Sequence, residues 1–397
     1  MSIFGSSGRH SENDRPEARS GRAKKENRKK SRAMKVAGIV LCCVALLALL
    51  GIVAFSLWSK KPAVSQEGLK TQTTATPDMS FVTHSPVPES MPDSTPSPEP
   101  ETEPIAAVRR PDTYTVLVVG RDRVGMNTDT IMVVRMDCRA KTVDVVSIPR
   151  DTLVNVPWSV KKVNSIYGNL GVQGLVDGVE DLVGFPIDSY VIVNTQVFQQ
   201  VIDSIGGVYF DVPIYMIYDD PDQNLHIWLT PGYQLLNGYQ AEQLVRFRQN
   251  NDGTGYPNGD LGRIDTQHAF FTALAKQVLS LGNIANLPSM IDLVVSNTET
   301  NLTSGNIAFY VQEFLKMDPD SVQFYTLPFD TVYILGGSYV SIQIGPWLDM
   351  INNCLNPFDV DVTERNLDVL TYSDAGFVST TGTIPGIYDF YDYTAIQ

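Results

Sequence analysis

The sequence is poor in cysteine and histidine, with 4 of each in 397 residues. Two of the cysteines lie in one apolar run. The other two, Cys138 and Cys354, either stay reduced or form one disulfide bond, and a single bond does not make a disulfide framework. His226 and His268 have no second histidine or cysteine at the spacing of a zinc site. The acidic run at 219–222 lacks the ligand spacing and the glycine of an EF-hand. These absences exclude a disulfide scaffold and the common zinc and calcium motifs.

Positive charge is scarce beyond the N-terminal region. Residues 1–61 carry 13 Lys and Arg against 4 Asp and Glu, which leaves 17 basic and 40 acidic residues for the remainder, a formal charge of −23. So acidic a chain is repelled by polyanions, which argues against general nucleic-acid binding.

One uncharged run, residues 36–59, is long enough to cross a membrane. Its 24 residues would reach about 36 Å as a helix, against a hydrocarbon core of about 30 Å. A cleaved signal peptide is the alternative, but its apolar region is about 7–15 residues and ends at small residues, which this run lacks. Basic residues stay on the cytoplasmic side. We therefore predict a single-pass cell-membrane protein with a cytoplasmic tail at 1–35, a transmembrane helix at 36–59 and all later residues outside.

The composition changes again around residue 112. Residues 62–112 hold 10 of the 24 prolines together with many Ser, Thr and Glu, which is typical of a disordered spacer. We predict such a spacer at 60–112, a folded domain at 113–358 and a C-terminal tail at 359–397 that has little pattern of its own.

Short β-branched runs and helical repeats alternate within the domain. Residues 114–119, 131–136, 143–148 and 208–212 favour buried strands. Apolar residues recur at helical spacing around Leu175, Val197 and Ile264, and Gly206 and Gly207 end the second of these helices. Strands that alternate with helices predict an α/β fold, here a single α-β-α layered domain.

Two aspartates flank the loop between the first two predicted strands. Asp122 follows the first strand and Asp129 precedes the second. Two carboxylates on one loop could hold Mg²⁺, which is typically bound by one or two carboxylates and the phosphates of a substrate. An ordinary polar hairpin would have the same residues, and spacing alone leaves both interpretations open.

Arginines gather at the ends of other predicted elements. Arg150 follows the third strand, and an extended chain would point Arg246 and Arg248 to the same side. Asp260, Arg263 and Gln267 are spaced by three and four residues, which places them on one stripe of a helix. Guanidinium groups suit bidentate contacts with phosphate, so an anionic ligand is one explanation. Surface ion pairs with the many carboxylates are the other.

Residues 115–281 resemble the LytR-CpsA-Psr family of cell-wall polymer ligases. The matching stretches occur in the order of the family: VLVVGRD at 116–122, TDTIM at 128–132, SIPRDT at 147–152, KVN at 162–164, FPID at 185–188, GGV at 206–208, VRFR at 245–248 and GDLGR at 259–263. Each stretch is short, and the ordered set carries the resemblance.

The resemblance implies a membrane-bound phosphotransferase. Its partners would be a polyprenyl-pyrophosphate-linked glycopolymer, such as teichoic acid or capsule, peptidoglycan and membrane lipid, and the polymer would be joined to a sugar hydroxyl of peptidoglycan through a phosphodiester. Carried over by position, Asp122 and Asp129 would hold Mg²⁺ or Mn²⁺, and Asp260 would orient arginines or assist proton removal. The remaining residues would bind the pyrophosphate: Arg150, Lys162, Arg246, Arg248, Arg263 and Gln267.

The first loop departs from the family pattern. Val124 and Asn127 stand where the family commonly has arginines, so Arg121 or Arg123 would have to make those phosphate contacts. Two other functions therefore stay open beside the ligase. One is a pyrophosphatase acting on the same lipid-linked glycan, and the other is a non-catalytic regulator of envelope assembly.

Overall fold

The computed structural model of the protein describes residues 57–71, 107–121, 128–221, 225–280, 287–373 and 376–385. The chain separates into two units, Met1–Trp58 and Ser59–Gln397, and nearly all described residues belong to the second. No helix within these ranges is both long and apolar enough to cross a membrane. The predicted cytoplasmic tail and all but the last three residues of the predicted transmembrane helix lie outside the described residues.

Fourteen strands and seven α-helices make up the described part of the chain. The strands are β1 Thr113–Arg121, β2 Thr128–Asp137, β3 Thr142–Ile148, β4 Ser189–Asn194, β5 Val208–Val212, β6 Met216–Asp220, β7 Leu225–Leu229, β8 Gly232–Leu236, β9 Glu299–Thr300, β10 Val322–Thr326, β11 Phe329–Ile334, β12 Gly337–Ile342, β13 Leu370–Ser373 and β14 Gly376–Ser379. The helices are α1 Asn164–Val183, α2 Thr195–Ser204, α3 Gly238–Arg246, α4 Asp260–Ser280, α5 Leu287–Asn297, α6 Ser304–Phe314 and α7 Ile344–Met350.

Six strands form one central sheet in the order β10-β3-β2-β1-β4-β9. β1 pairs with β4 in parallel, and β3 pairs with β10 in parallel, while β2 runs antiparallel between β1 and β3. The C-terminal ends of β1, β3 and β4 therefore meet the N-terminal end of β2 at one edge of the sheet. The prediction of a mixed α/β fold is confirmed.

Alternating side chains place a hydrophobic core on each face of this sheet. In β2, Ile131 and Val133 pack into the core that contains α1 and α7, and Met132 and Val134 pack towards α4 and α6 on the other face. Successive residues of a strand point to opposite faces, so a strand buried on both sides is apolar at nearly every position. This arrangement gives helices on both faces of the sheet.

A separate hydrophobic cluster lies beyond the edge where β1 and β4 end. It contains the hairpin formed by β6 and β7, the pair of β5 and β8, and apolar residues of α2, α3 and α4. The predicted turn between α2 and β5 is confirmed, because Gly206 and Gly207 have φ of 85° and 87°, a conformation that residues with a Cβ rarely adopt. This cluster forms the far wall of the cavity described below.

Residues 59–71, here called the strap, correct the predicted spacer. The Lys60 amide donates to the Gly305 carbonyl at 2.9 Å, and the Ser65 amide donates to the Asp188 carboxylate at 2.9 Å. The Lys70 Nζ lies 2.6 Å from the Asp181 carboxylate. Polar and acidic partners of the folded domain thus hold a segment whose composition predicted disorder. The middle of the predicted spacer, residues 72–106, lies outside the described residues.

The C-terminal boundary of the domain is also later than predicted. Val362, Leu367 and Val369 are buried in the main core, although the sequence placed them in a tail. The residues that they contact are far away in sequence, so no local hydrophobic pattern predicts their burial. Cys138 and Cys354 are both free thiols, which answers the question of a disulfide bond between them.

Candidate active site

A cavity of about 800 Å³ opens at the sheet edge where β1, β3 and β4 end. Open α/β sheets usually bind their ligands at such an edge, because side chains that follow parallel strands converge there. The lining combines five arginines and two carboxylates with apolar and polar residues. The lining residues are Val118, Val119, Gly120, Arg121, Asp129, Thr130, Met132, Arg150, Val193, Asn194, Thr195, Phe198, Tyr218, Leu225, Glu242, Val245, Arg246, Arg248, Gln249, Arg263, Gln267 and Phe271.

Arg150 and Asp129 form an ion pair on the wall of the cavity. The Arg150 Nη1 donates to the Asp129 Oδ1 at 2.7 Å, and the two side chains are 28% and 41% exposed. The Nε of Arg150 is buried and has no hydrogen-bond acceptor in the described part of the protein, since the nearest oxygen of Asp151 is 3.9 Å away. An unsatisfied buried donor is costly, so this N–H favours an acceptor group from a ligand.

A β-bulge directs Arg121 into the same cavity. The register of β1 and β2 shifts between Gly120 and Arg121, and bulges often redirect a side chain next to a site. The Arg121 Nη1 donates to the Tyr167 hydroxyl at 2.9 Å, and the guanidinium carbon lies 5.7 Å from the centre of the tyrosine ring. Burial, followed by the hydrogen bond to Glu299, raises the pKa of Tyr167. Arg121 is thus held by an aromatic ring and can face an anion.

The C-terminal end of α3 supplies Arg246. Asn237 begins this helix with a capping box, and the chain becomes extended at Phe247. Arg246 is therefore the last helical residue, and the prediction that it lies in an extended stretch with Arg248 is wrong. The Glu242 carboxylate, buried one turn earlier, accepts from the Arg246 Nη1 at 3.0 Å, and its second oxygen accepts a short hydrogen bond from Gln199. Glu242 thereby fixes the guanidinium of Arg246.

α4 brings Arg263 and Gln267 to the cavity. The predicted helical stripe is confirmed for these two residues, since both line the cavity one turn apart. The Gln267 Nε2 donates to the Val245 carbonyl at 2.7 Å, which joins α4 to the end of α3. This bond holds Arg246 and Arg263 on neighbouring, mutually anchored helices.

The N-terminus of α2 completes the polar rim. Asn194 caps the helix by accepting from the Val197 amide at 2.9 Å, and both Asn194 and Thr195 line the cavity. The Thr195 Oγ1 is buried without a hydrogen bond to any described residue. A helix N-terminus carries partial positive charge and adds to the attraction that the arginines exert on an anion.

Most of the predicted ligand-binding residues are brought together here. Asp129, Arg150, Arg246, Arg248, Arg263 and Gln267 all line the one cavity. Lys162 does not. Its Nζ lies 2.9 Å from the Asp151 carboxylate and 4.6 Å from the ring centre of Tyr339, and neither Lys162 nor Asp151 lines the cavity.

Part of the first loop and the side chain at the start of α4 lie outside the described part of the chain. Asp122, Arg123, Val124 and Asn127 lie outside the described residues, as does the side chain of Asp260. Within the described ranges, no three His, Cys, Asp or Glu residues are grouped so that they could hold a metal ion. The carboxylate of Asp129 can contribute one ligand, and any magnesium site here would draw further ligands from elsewhere.

Glu242 and Tyr218 are two of the cavity residues that escaped the sequence-based prediction. Glu242 lies four residues before Arg246, and this spacing on a helix is a recognisable ion-pair signal. Tyr218 gives no such signal, because an isolated tyrosine in a strand is equally typical of a core position.

Comparison with known proteins identifies the family of the chain. The model of the LytR_cpsA_psr family matches residues 85–354. The protein named polyisoprenyl-teichoic acid–peptidoglycan teichoic acid transferase TagV from Bacillus subtilis is 31% identical over 224 residues, which cover 55% of this chain and 54% of that one. The chain spans about half the length of this relative and 64% of TagU from the same organism.

Solved structures share the fold. The crystal structure of B. subtilis TagV has a TM-score of 0.53 at 24% identity and covers 62% of this chain and 96% of that chain. The structure of TagT bound to LIIa-WTA has a TM-score of 0.50 at 22% identity, with coverage of 63% and 92%. The sequence match spans more than half of the chain and the fold agrees with it. The chain belongs to the LytR-CpsA-Psr family.

Proposed function

We propose that this protein transfers an anionic glycopolymer from a polyprenyl-pyrophosphate carrier to a sugar hydroxyl of peptidoglycan, forming a phosphodiester. The observation that carries the proposal is one cavity in which five arginines adjoin an apolar lining. A pyrophosphate and a hydrocarbon chain joined in one molecule require both surfaces side by side. The name of TagV and the teichoic-acid ligand of TagT point to the same class of substrate.

The arginines would bind the pyrophosphate and stabilise the charge that develops during transfer. The acceptor hydroxyl oxygen forms a bond to the phosphorus that carries the sugar, the bond from that phosphorus to the bridging oxygen breaks, and polyprenyl phosphate leaves. The hydroxyl proton passes to a base, for which Asp260 is the proposed residue. Phosphoryl transfer depends mainly on positioning and charge neutralisation, which a cluster of fixed guanidinium groups supplies.

Hydrogen bonds within the protein hold the arginines of this cluster in place before a substrate binds. Glu242 holds Arg246, Tyr167 holds Arg121, and Gln267 joins the two helices that carry Arg246 and Arg263. Arg150 keeps a buried N–H that a phosphate oxygen could accept from. Because these donors are positioned before the substrate arrives, little of the binding energy is lost in ordering them.

The apolar side of the cavity would hold the start of the lipid chain. Val118, Val193, Phe198, Leu225 and Phe271 line it, in the same cavity as the arginine that ends β1 and the one that follows β3. Burying hydrocarbon against such residues contributes roughly 0.8 kcal/mol for each CH₂ group.

We further propose that Asp129, together with Asp122, holds Mg²⁺ or Mn²⁺ against the pyrophosphate. Asp129 fits this role because its carboxylate is on the cavity wall and 41% exposed. A bound ion would neutralise phosphate charge and polarise the phosphorus–oxygen bond. The aspartate would exchange part of its interaction with Arg150 for the ion.

Location at the outer face of the cell membrane belongs to the same proposal. The uncharged run at 36–59 and the basic residues before it support a single span with the N-terminus inside. The lipid-linked donor would then be in the same bilayer as the enzyme.

Reconstitution with a defined donor tests the function. The full chain in detergent would be incubated with a polyprenyl-pyrophosphate-linked glycan, Mg²⁺ and soluble wall oligomers, and the products would be separated by mass. We expect glycan joined to the oligomers and release of polyprenyl phosphate. Free phosphorylated glycan without joined product would instead identify a pyrophosphatase. Donor binding without any reaction would identify a non-catalytic regulator, and either result would overturn the proposal.

A further inference from the structure

The hairpin of β6 and β7 has an outer face that leaves aromatic side chains in water. Ile217 and Trp228 are paired across the hairpin and are 44% and 73% exposed. Tyr239 of α3 is 48% exposed and donates from its hydroxyl to the His226 carbonyl of β7 at 3.1 Å. Single exposed apolar residues are common, but a contiguous group on one face usually marks a binding surface.

Polar groups lie on the same face. Asp219 pairs with His226 across the hairpin, and their side chains share a short hydrogen bond. We call Ile217, Asp219, His226, Trp228 and Tyr239 the outer platform. It presents aromatic rings beside hydrogen-bonding groups.

The backbone under the outer platform is held on both sides. Asn250 accepts from the Ile217 amide at 2.6 Å, and Asn251 accepts from the Asp219 amide at 2.7 Å. On the other strand, the Trp228 amide donates to the Gln243 side chain at 2.8 Å. A surface fixed in this way binds a ligand without first losing conformational entropy.

The outer platform and the cavity lie on opposite faces of the same two-stranded hairpin. Tyr218 and Leu225 alternate with the platform residues along β6 and β7, and both line the cavity. Asn250 and Asn251 directly follow Arg248 and Gln249, which line it too. The hairpin is therefore a wall whose inner face belongs to the cavity and whose outer face is the platform.

We propose that the outer platform binds the acceptor, an uncharged stretch of glycan strand. The inference rests on the proposed function, because the cavity takes the donor and the second substrate must approach its mouth. Sugar rings stack on aromatic faces through their C–H groups, and their hydroxyls donate to carboxylates. Trp228 and Tyr239 supply the faces, and Asp219 supplies the carboxylate.

Charge favours a glycan over an anionic surface. Asp219 is on the platform and Asp220 is its neighbour, and residues 62–397 carry a formal charge of −23. An anionic bilayer or a second polyanion would be repelled, whereas sugar hydroxyls carry no charge. Arg246 and Arg248 line the cavity and are not part of the platform.

Binding of chitin-type oligomers to the full chain tests the platform without any donor. Saturation-transfer NMR would compare the wild type with Trp228→Ala and with Tyr333→Ala, a matched control that removes a ring 78% exposed on a different hairpin, that of β11 and β12. We expect Trp228→Ala to weaken binding about tenfold and Tyr333→Ala to leave it unchanged. Trp228→Tyr should retain most of the binding, since it keeps an aromatic face.

Three results would overturn the platform: equal binding by the wild type and Trp228→Ala, equal losses in both alanine variants, or binding of phosphatidylcholine vesicles through Trp228 with none of the oligomer. The transfer assay gives a separate readout, in which Trp228→Ala should raise the KM for the acceptor and leave donor affinity unchanged. Oligomer binding that depends on Trp228 in a protein without transfer activity would support the platform and overturn the proposed function.

Discussion

Two pairs of arginine and aspartate lie at opposite edges of the central sheet: Arg109 with Asp188, and Arg150 with Asp129. They consist of the same residue types but differ in exposure and in hydrogen bonding. Asp188, just before β4, accepts from the Thr115 amide at 2.8 Å, the Thr115 hydroxyl at 2.9 Å and the Ser65 amide at 2.9 Å, as well as from Arg109. Its side chain is 0% exposed. Asp129, at the cavity, is 41% exposed and bonds to Arg150.

The difference separates a structural role from a binding role. The protein itself supplies four hydrogen bonds to the enclosed carboxylate of Asp188. The Nη1 of Arg109 is buried without an acceptor among the described residues, and burial lowers the pKa of Arg109, so it is enclosure that keeps a ligand from this pair. The pair at the cavity is open and leaves the Arg150 Nε without an acceptor among the described residues. The same residue types thus stabilise the fold where they are enclosed and remain available where a strand ends at a cavity.

Removal of Asp188 should have the largest effect. Asp188→Ala leaves the buried Arg109 without its charge partner and removes the acceptor of three further hydrogen bonds. We expect a loss of about 3–5 kcal/mol in the free energy of unfolding, measured in urea. Asp129→Ala is the matched control and should change it by less than about 1 kcal/mol. Equal losses in the two variants would erase the distinction between the pairs.

Arg150→Ala should do the opposite of Asp188→Ala and reduce activity rather than stability. We expect its transfer rate to fall by at least about 100-fold, because a fixed donor to the reacting phosphate is lost, while its unfolding free energy stays near that of the wild type. Arg150→Lys should recover part of the rate, since it restores the charge but not the bidentate geometry. Asp129→Ala should also abolish transfer. Turnover at the wild-type level in both alanine variants would remove this ion pair from the mechanism.

A half-buried contact between His268 and Ser147 should give the smallest effect, visible in the pH dependence of stability. The His268 Nε2 lies 3.2 Å from the Ser147 Oγ, and burial lowers the pKa of His268 below its ordinary 6.5, against the opposing charge of Asp265. The unfolded chain therefore binds a proton first as the pH falls. Stability should decrease below about pH 6.5, and less so in His268→Gln. An identical pH profile in the two proteins would contradict this.

Three of the six strands of the central sheet, β1 to β3, could be predicted because they are locally distinctive. Residues 131–136 and 143–148 are apolar on both faces, and the structure extends them only to Thr128–Asp137 and Thr142–Ile148. The arginines that follow strands or lie on the stripe of α4 could be predicted for the same reason, since strand ends and helical spacing fix their direction.

Residues fixed by distant contacts could not be predicted. Arg246 and Arg248 have the spacing of a strand, but the cap at Asn237 and the packing of α3 make Arg246 helical. Lys162 is drawn to Asp151 and Tyr339, the latter a contact across 177 positions that no local pattern encodes. The order of 59–71 depends in the same way on Gly305, Asp188 and Asp181, far along the chain.

The strap changes what the length of the Pro-rich segment can control. The described chain stops at Thr71 and resumes at Ala107, whose Cβ would lie 3.8 Å from a Cβ placed on Gly68. Asn366 holds the Lys70 carbonyl, and Asp359 holds the Val108 amide. The residues on both sides of the Pro-rich segment are thus attached to the same domain. The strap, and not the Pro-rich segment, connects that domain to the residues before 59. Lengthening or shortening residues 72–106 would change only the length of that loop. The number of residues between the folded domain and the run at 36–59 would stay the same.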